Sequence, residues 1–205
     1  MGDQEMAETD ETAGPQQTES QERISKFRAD LVRFDVSLLV QRHVTTGPSF
    51  LLDDDSYHLL RARIAEEFGL HPNEILIVGS AKLGFSLVRE QRYRPFGEES
   101  DIDVAVVSSG LFDTFAQATF DYWRQSRYWT RYETYLKYLF RGWIRPDLLP
   151  PSLAEQTRWW EFFRSLTAEG TFGSYQIRAG LYKSWHYLDS YHSICIDECK
   201  RAESA

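Results

Sequence analysis

The sequence predicts an α+β fold: a small mixed sheet with flanking helices and a C-terminal helical subdomain. Three observations carry that reading. Two short apolar runs, Glu74–Val78 and Ile102–Val107, have the length and β-branched content of buried strands. Apolar residues at helical spacing lie on either side of them. From Phe112 onward an aromatic series continues at helical spacing. The chain's 205 residues suit one domain, or one domain with an attached helical subdomain. Its 42% hydrophobic and 15% aromatic content excludes a chain disordered throughout.

The formal charge of −8 is unevenly spread. Seven of the 31 acids fall between Met1 and Glu22, a stretch with no Lys or Arg. The remaining 24 acids face 23 basic residues, so the body is close to neutral. That balance argues against a strongly basic duplex-binding module. Residues 1–20 lack aromatic residues and read as a disordered acidic tail. Two cysteines give no disulfide framework, and no apolar run reaches the ~20 residues that span a bilayer. No secretory signal is visible, so the expectation is a cytoplasmic protein without membrane contact.

The ordered body, residues 21–150, opens with a helix expected from about Ile24 to His43, stopped by Thr45-Thr46-Gly47-Pro48. Asp53-Asp54-Asp55 reads as the acidic cap of a second helix that ends at Gly69. The two strands follow, with an irregular stretch from Ala81 to Ser100 between them. The aromatic helices come next, broken at Gly142–Asp147, where a short strand fits. Beyond Pro150-Pro151, residues 151–205 are expected to form a helical subdomain, with one helix capped by Ser152 and running to about Leu166 and a last one from about Tyr175 to Lys200.

The chemistry concentrates at the strand ends. In a strand, Asp101 and Asp103 project to one side while Ile102 and Val104 face the core. Two carboxylates that close repel unless a cation or proton intervenes, so the pair suits a divalent metal. Mg²⁺ favours a few carboxylates with water and phosphate oxygens completing its shell. Gly79-Ser80, directly after the first strand, supplies a complementary phosphate seat: a close backbone approach and a hydroxyl donor.

The strings Ile77-Val78-Gly79-Ser80 and Glu99-Ser100-Asp101-Ile102-Asp103-Val104-Ala105-Val106 resemble the nucleotidyltransferase fold superfamily, which includes DNA polymerase β. The resemblance covers residues 74–108. It implies Mg²⁺- or Mn²⁺-dependent transfer of a nucleoside monophosphate from an NTP to an acceptor hydroxyl on RNA, protein or a small molecule. By it, Asp101 and Asp103 bind metal, Gly79 and Ser80 seat phosphate, and Lys82, just past the turn, is a further phosphate contact. The family usually adds a third acid on a later strand. Asp147 is the candidate here, with Asp121 and Glu133 as alternatives on the preceding helices. The competing class is a degenerate nucleotide-binding or protein-interaction module, with the aromatic C-terminal helices or the acidic tail as a docking element. A bacterial toxin or defence effector is an analogy drawn from the small size and unadorned core. His192, Cys195 and Cys199 share a helix face, which suits an apolar face better than a three-ligand zinc site.

Overall fold

In the computed structural model, which describes residues 15–125 and 128–204, the two predicted strands lie side by side in one sheet. Residues 1–14, most of the expected tail, lie outside the described residues. The sheet has four strands: β1 (Ile75–Val78), β2 (Ile102–Val107), β3 (Trp143–Ile144) and β4 (Ile177–Tyr182). Their order is β1-β2-β4-β3, with β1 antiparallel to β2, β4 parallel to β2, and β3 antiparallel to β4.

Alternation along the strands divides the core in two. Ile75, Ile77, Ile102, Val104, Val106, Ile177 and Leu181 bury one face with residues of α3 (Asp54–Phe68), α5 (Ser109–Arg124), α6 (Tyr132–Phe140) and α7 (Ala154–Ala168). Leu76, Val78, Ala105, Val107 and Tyr182 bury the other with α1 (Pro15–Arg33), α2 (Val36–Val40) and α8 (Trp185–Glu203). On this second face the Asp101 end of β2 is open, with Asp103 exposed, and a cleft lies there. Of the aromatic series, Trp159, Tyr135, Phe115 and Phe163 are core, whereas Phe120, Tyr128 and Phe140 are exposed. Among the described residues no helix is long and apolar enough to cross a membrane.

Three segments depart from the sequence reading. The first helix begins at Pro15, so residues 15–20, assigned to the tail, are helical. Ser20 is buried and donates to the Gly84 carbonyl at 2.9 Å, a tertiary bond that composition does not reveal. The helix expected through His43 breaks at Phe34, because Asp35 caps α2 by accepting from the Leu38 amide at 2.8 Å. A π-helical turn, Gln41–Thr45, then completes it. The third departure matters most. The last helix starts at Trp185, and the residues before it form β4 between β2 and β3. The stretch read as a C-terminal helical subdomain therefore contributes an interior strand. Its alternation, Ile177, Ala179 and Leu181 against Arg178, Gly180 and Tyr182, is diluted by Ala and Gly, which are poor strand formers.

Two local expectations hold. Asp53 caps α3 through the Ser56 amide at 2.7 Å, and Gly69 ends it in the left-handed conformation. The irregular stretch holds a short helix, α4 (Gly79–Leu83), and a bridge between Phe85 and Pro95.

Candidate functional site

β1 and β2 bring the two motifs together through their register. Val78 pairs with Asp103, so the end of β1 delivers Gly79 beside that carboxylate. Gly79 has a φ of +64°, and a Cβ there would lie 3.0 Å from Asp103 Oδ2. The turn needs glycine both for its backbone angle and for this close approach. Ser80 follows in α4 and lines the same cleft, whose volume is about 720 Å³. Gly79, Ser80, Lys82, Asp101, Asp103 and Asp147 all lie on its wall.

They do not converge on one point. Among the described residues, no group of three or more His, Cys, Asp or Glu side chains is placed to hold a metal ion. Asp147 lies just beyond β3, in the 3₁₀ turn Pro146–Leu148. Its carboxylate accepts from Arg131 at 2.9 Å and from Arg145 at 3.1 Å. Because β4 intervenes, Asp147 is a strand further from the Asp101–Asp103 pair than a neighbouring-strand acid would be. Asp121 on α5 and Glu133 on α6 do not line the cleft.

The strand that does adjoin β2 presents Arg178, Gly180 and Tyr182 on the carboxylate face. Arg178 is the register partner of Asp103, and its guanidinium pairs with Asp101 at 3.1 Å. Gly180 lies under the Trp143 indole, whose Nε1 would be 2.5 Å from a Cβ at that position. The neighbouring strand thus offers a cation and a glycine where a further carboxylate would complete a three-acid set. Neither residue was singled out from sequence, because their relation to Asp103 depends on β4.

The electrostatics follow from this crowding. Asp103 is open to the cleft, yet protein packed around its base desolvates the carboxyl and, with the Asp101 charge next, pushes it up to about 6, with Arg178 opposing the shift. The Arg178 guanidinium thus offsets part of the charge that the two carboxylates bring to the cleft.

An aromatic wall bounds the far side. Trp143 stacks on Tyr182 with ring centroids 5.3 Å apart and planes 10° from parallel, and meets Tyr191 at 4.8 Å. Burial raises the Tyr182 phenol well above the usual tyrosine range, and desolvation by neighbouring groups raises that of the more exposed Tyr191. Behind them His192 is buried, its imidazole lowered to about 4 by desolvation. Among the described residues, His192 Nε2 and Trp143 Nε1 find no hydrogen-bond partner. Cys195 is half-buried and Cys199 fully buried on the same helix, in keeping with an apolar face.

Lys82 is only 4% exposed. Its ammonium donates to the Gly47 carbonyl, and its side chain lines both this cleft and a second, smaller cavity. Against protein-family models, curated proteins and solved structures alike, the chain gives no significant match.

Proposed function

We propose that the cleft binds a nucleoside triphosphate as its Mg²⁺ or Mn²⁺ complex, on a nucleotidyltransferase-type scaffold. The supporting observation is the packing of the Gly79-Ser80 turn directly on Asp103, with Asp101 on the same face. A phosphate seat and a carboxylate pair are thereby adjacent in one cleft. Asp101 and Asp103 would hold the ion, which when bound neutralises phosphate charge and acidifies a coordinated oxygen. The Ser80 hydroxyl donates to phosphate, and the small turn lets the backbone approach it. Arg178, more than half exposed, adds a guanidinium suited to a phosphate oxygen. Trp143 and Tyr191 supply flat apolar surface for a base or acceptor.

Nucleotidyl transfer also needs a group that takes the proton of the acceptor hydroxyl. The third strand carboxylate that usually helps is replaced on β4 by Arg178 and Gly180, which favours nucleotide binding over transfer. The transferase reading keeps one observation: Asp147 lines the same cleft, restrained by Arg131 and Arg145.

Equilibrium dialysis of ATP with and without Mn²⁺ tests the binding. Saturable, Mn²⁺-dependent retention that disappears in the Asp101→Asn/Asp103→Asn protein is the expected result, and retention unchanged by that double substitution would remove the proposal. Incubation with α-labelled NTPs in lysate separates the two readings. Label fixed to RNA, protein or a small solute establishes transfer and names the acceptor class.

A further inference from the structure

On the other side of Lys82 lies a cavity of about 370 Å³, lined by Arg23, Lys26, Arg42, His43 and Lys82 with the Thr46-Gly47-Pro48 turn. We infer that this cavity is a binding site for a small phosphate-bearing anion, separate from the nucleotide cleft.

The basic side chains arrive from three elements: Arg23 and Lys26 from α1, Arg42 and His43 from the π-helical turn, and Lys82 from α4. Two acids beside them are already engaged, and Glu22, on α1 just before Arg23, does not line the cavity. Glu19 pairs with Arg23 at 3.0 Å. Asp30, itself buried, accepts from Arg42 at 2.9 Å and from His43 at 3.0 Å. Among the described residues, no carboxylate pairs with Lys26 or Lys82. Four full positive charges therefore face two negative ones, around a concave space.

Lys82 carries the argument furthest. A lysine that is 4% exposed as a residue normally has an anionic partner, because an uncompensated charge withdrawn from water is costly. This one donates to a neutral carbonyl, that of Gly47, and an ammonium has three protons to give. Its burial and the nearby Arg23 charge pull it down to about 8, the direction expected of a cation held without a counter-ion. A phosphate dianion in the cavity would supply the missing charge and accept from Lys26, Arg42 and Lys82 together. The forked guanidiniums of Arg23 and Arg42 match phosphate geometry. The volume suits one or two phosphoryl groups with a small body, and not a nucleic-acid duplex. Because Lys82 belongs to α4, the helix that begins at Gly79-Ser80, an anion here would also brace the phosphate seat of the cleft.

The test is isothermal titration of the full chain with inorganic pyrophosphate and, separately, inorganic phosphate, in EDTA at matched ionic strength. Saturable binding is expected, weakened at least about tenfold by Lys26→Glu and by Lys82→Met, and unchanged by Ser80→Ala. The ratio of the two affinities shows whether one or two phosphoryl groups are seated. Lys26 is exposed, so its substitution leaves the core intact. Lys82→Met removes a buried unpaired charge, so its thermal midpoint without anion should equal or exceed that of the parent. Pyrophosphate should raise the parent's midpoint and leave that of Lys82→Met unmoved. Equal affinity in the parent and both lysine variants overturns the inference. So does binding lost in Ser80→Ala alone, which assigns the anion to the cleft, or an absence of saturable binding to either anion.

Discussion

Arg178 stands across the β2–β4 ladder from Asp103, and its guanidinium reaches past that residue to Asp101 at 3.1 Å. The pair of acids is thus partly neutralised from within the sheet. A fixed guanidinium competes with any metal ion for the same charge, and it also holds down the Asp103 shift that desolvation and Asp101 produce. Three properties of the site follow from this competition: its metal affinity, its pH range and its response to a third acid.

Arg178→Gln removes the competitor while keeping a polar side chain in an exposed setting. Mn²⁺ affinity should rise about fivefold, equivalent to roughly 1 kcal/mol for a solvent-screened ion pair. Electron paramagnetic resonance titration of free Mn²⁺ measures it directly. An affinity that stays level or falls would mean that Arg178 supports the metal site instead of competing with it.

The Asp103 carboxyl, raised to about 6, must lose its proton to hold a cation. Metal affinity should therefore be constant above about pH 7 and fall about tenfold per pH unit below about 6. The stability effect has the opposite sign. Without an ion, the raised value favours the protonated folded form, so this group's contribution is present in acid and is lost as pH rises through about 6. Calorimetric titration of Mn²⁺ at pH 7.5 and pH 5 tests the affinity. Asp103→Asn should leave the residual binding nearly independent of pH over that interval.

His192 gives a pH dependence of stability from the other side. Its imidazole is lowered to about 4 by burial, so the folded state favours the neutral ring. Its contribution is complete above the unfolded value near 6.5 and is lost as pH falls towards 4, on the order of 3 kcal/mol in all. Urea unfolding of the parent and of His192→Leu, each at pH 7.5 and pH 4.5, isolates this effect from that of the carboxylates. The variant should lose distinctly less stability on acidification.

The motif acids and the Gly-Ser turn were legible in the sequence because each depends on local geometry: alternation in β2, and a glycine at the end of β1. Ala substitution at Gly79 shows how tight that local code is. It forces a side chain into φ +64° and a Cβ to 3.0 Å from Asp103 Oδ2, so the thermal midpoint should drop by an amount corresponding to about 1–2 kcal/mol. What the sequence concealed depends on distant pairing. Arg178 and Gly180 read as parts of a helix until β4 is placed between β2 and β3. Asp147 was found close to a short strand, as expected, but the inserted strand moves it one place outward. Ser20 looked like tail because its partner, the Gly84 carbonyl, is 64 positions away.

The register also states how to build the missing feature. Neighbouring strands lie about 4.8 Å apart, so a carboxylate at position 178 would stand beside Asp103 on the same face. Arg178→Glu replaces the competing cation with a third acid. Without metal, three like charges in one cleft should lower the thermal midpoint by several degrees, since each kcal/mol of repulsion shifts a domain of this size by about 2–4 °C. Mn²⁺ should restore that loss and raise the midpoint more than it does in the parent. Labelled-NTP incubation then decides what the substitution does to chemistry. If the absence of a third acid is what limits the natural chain to nucleotide binding, Arg178→Glu should raise label transfer, or create it. If the parent already transfers label using Asp147, Arg178→Glu should not raise the rate, and Asp147→Asn should abolish it.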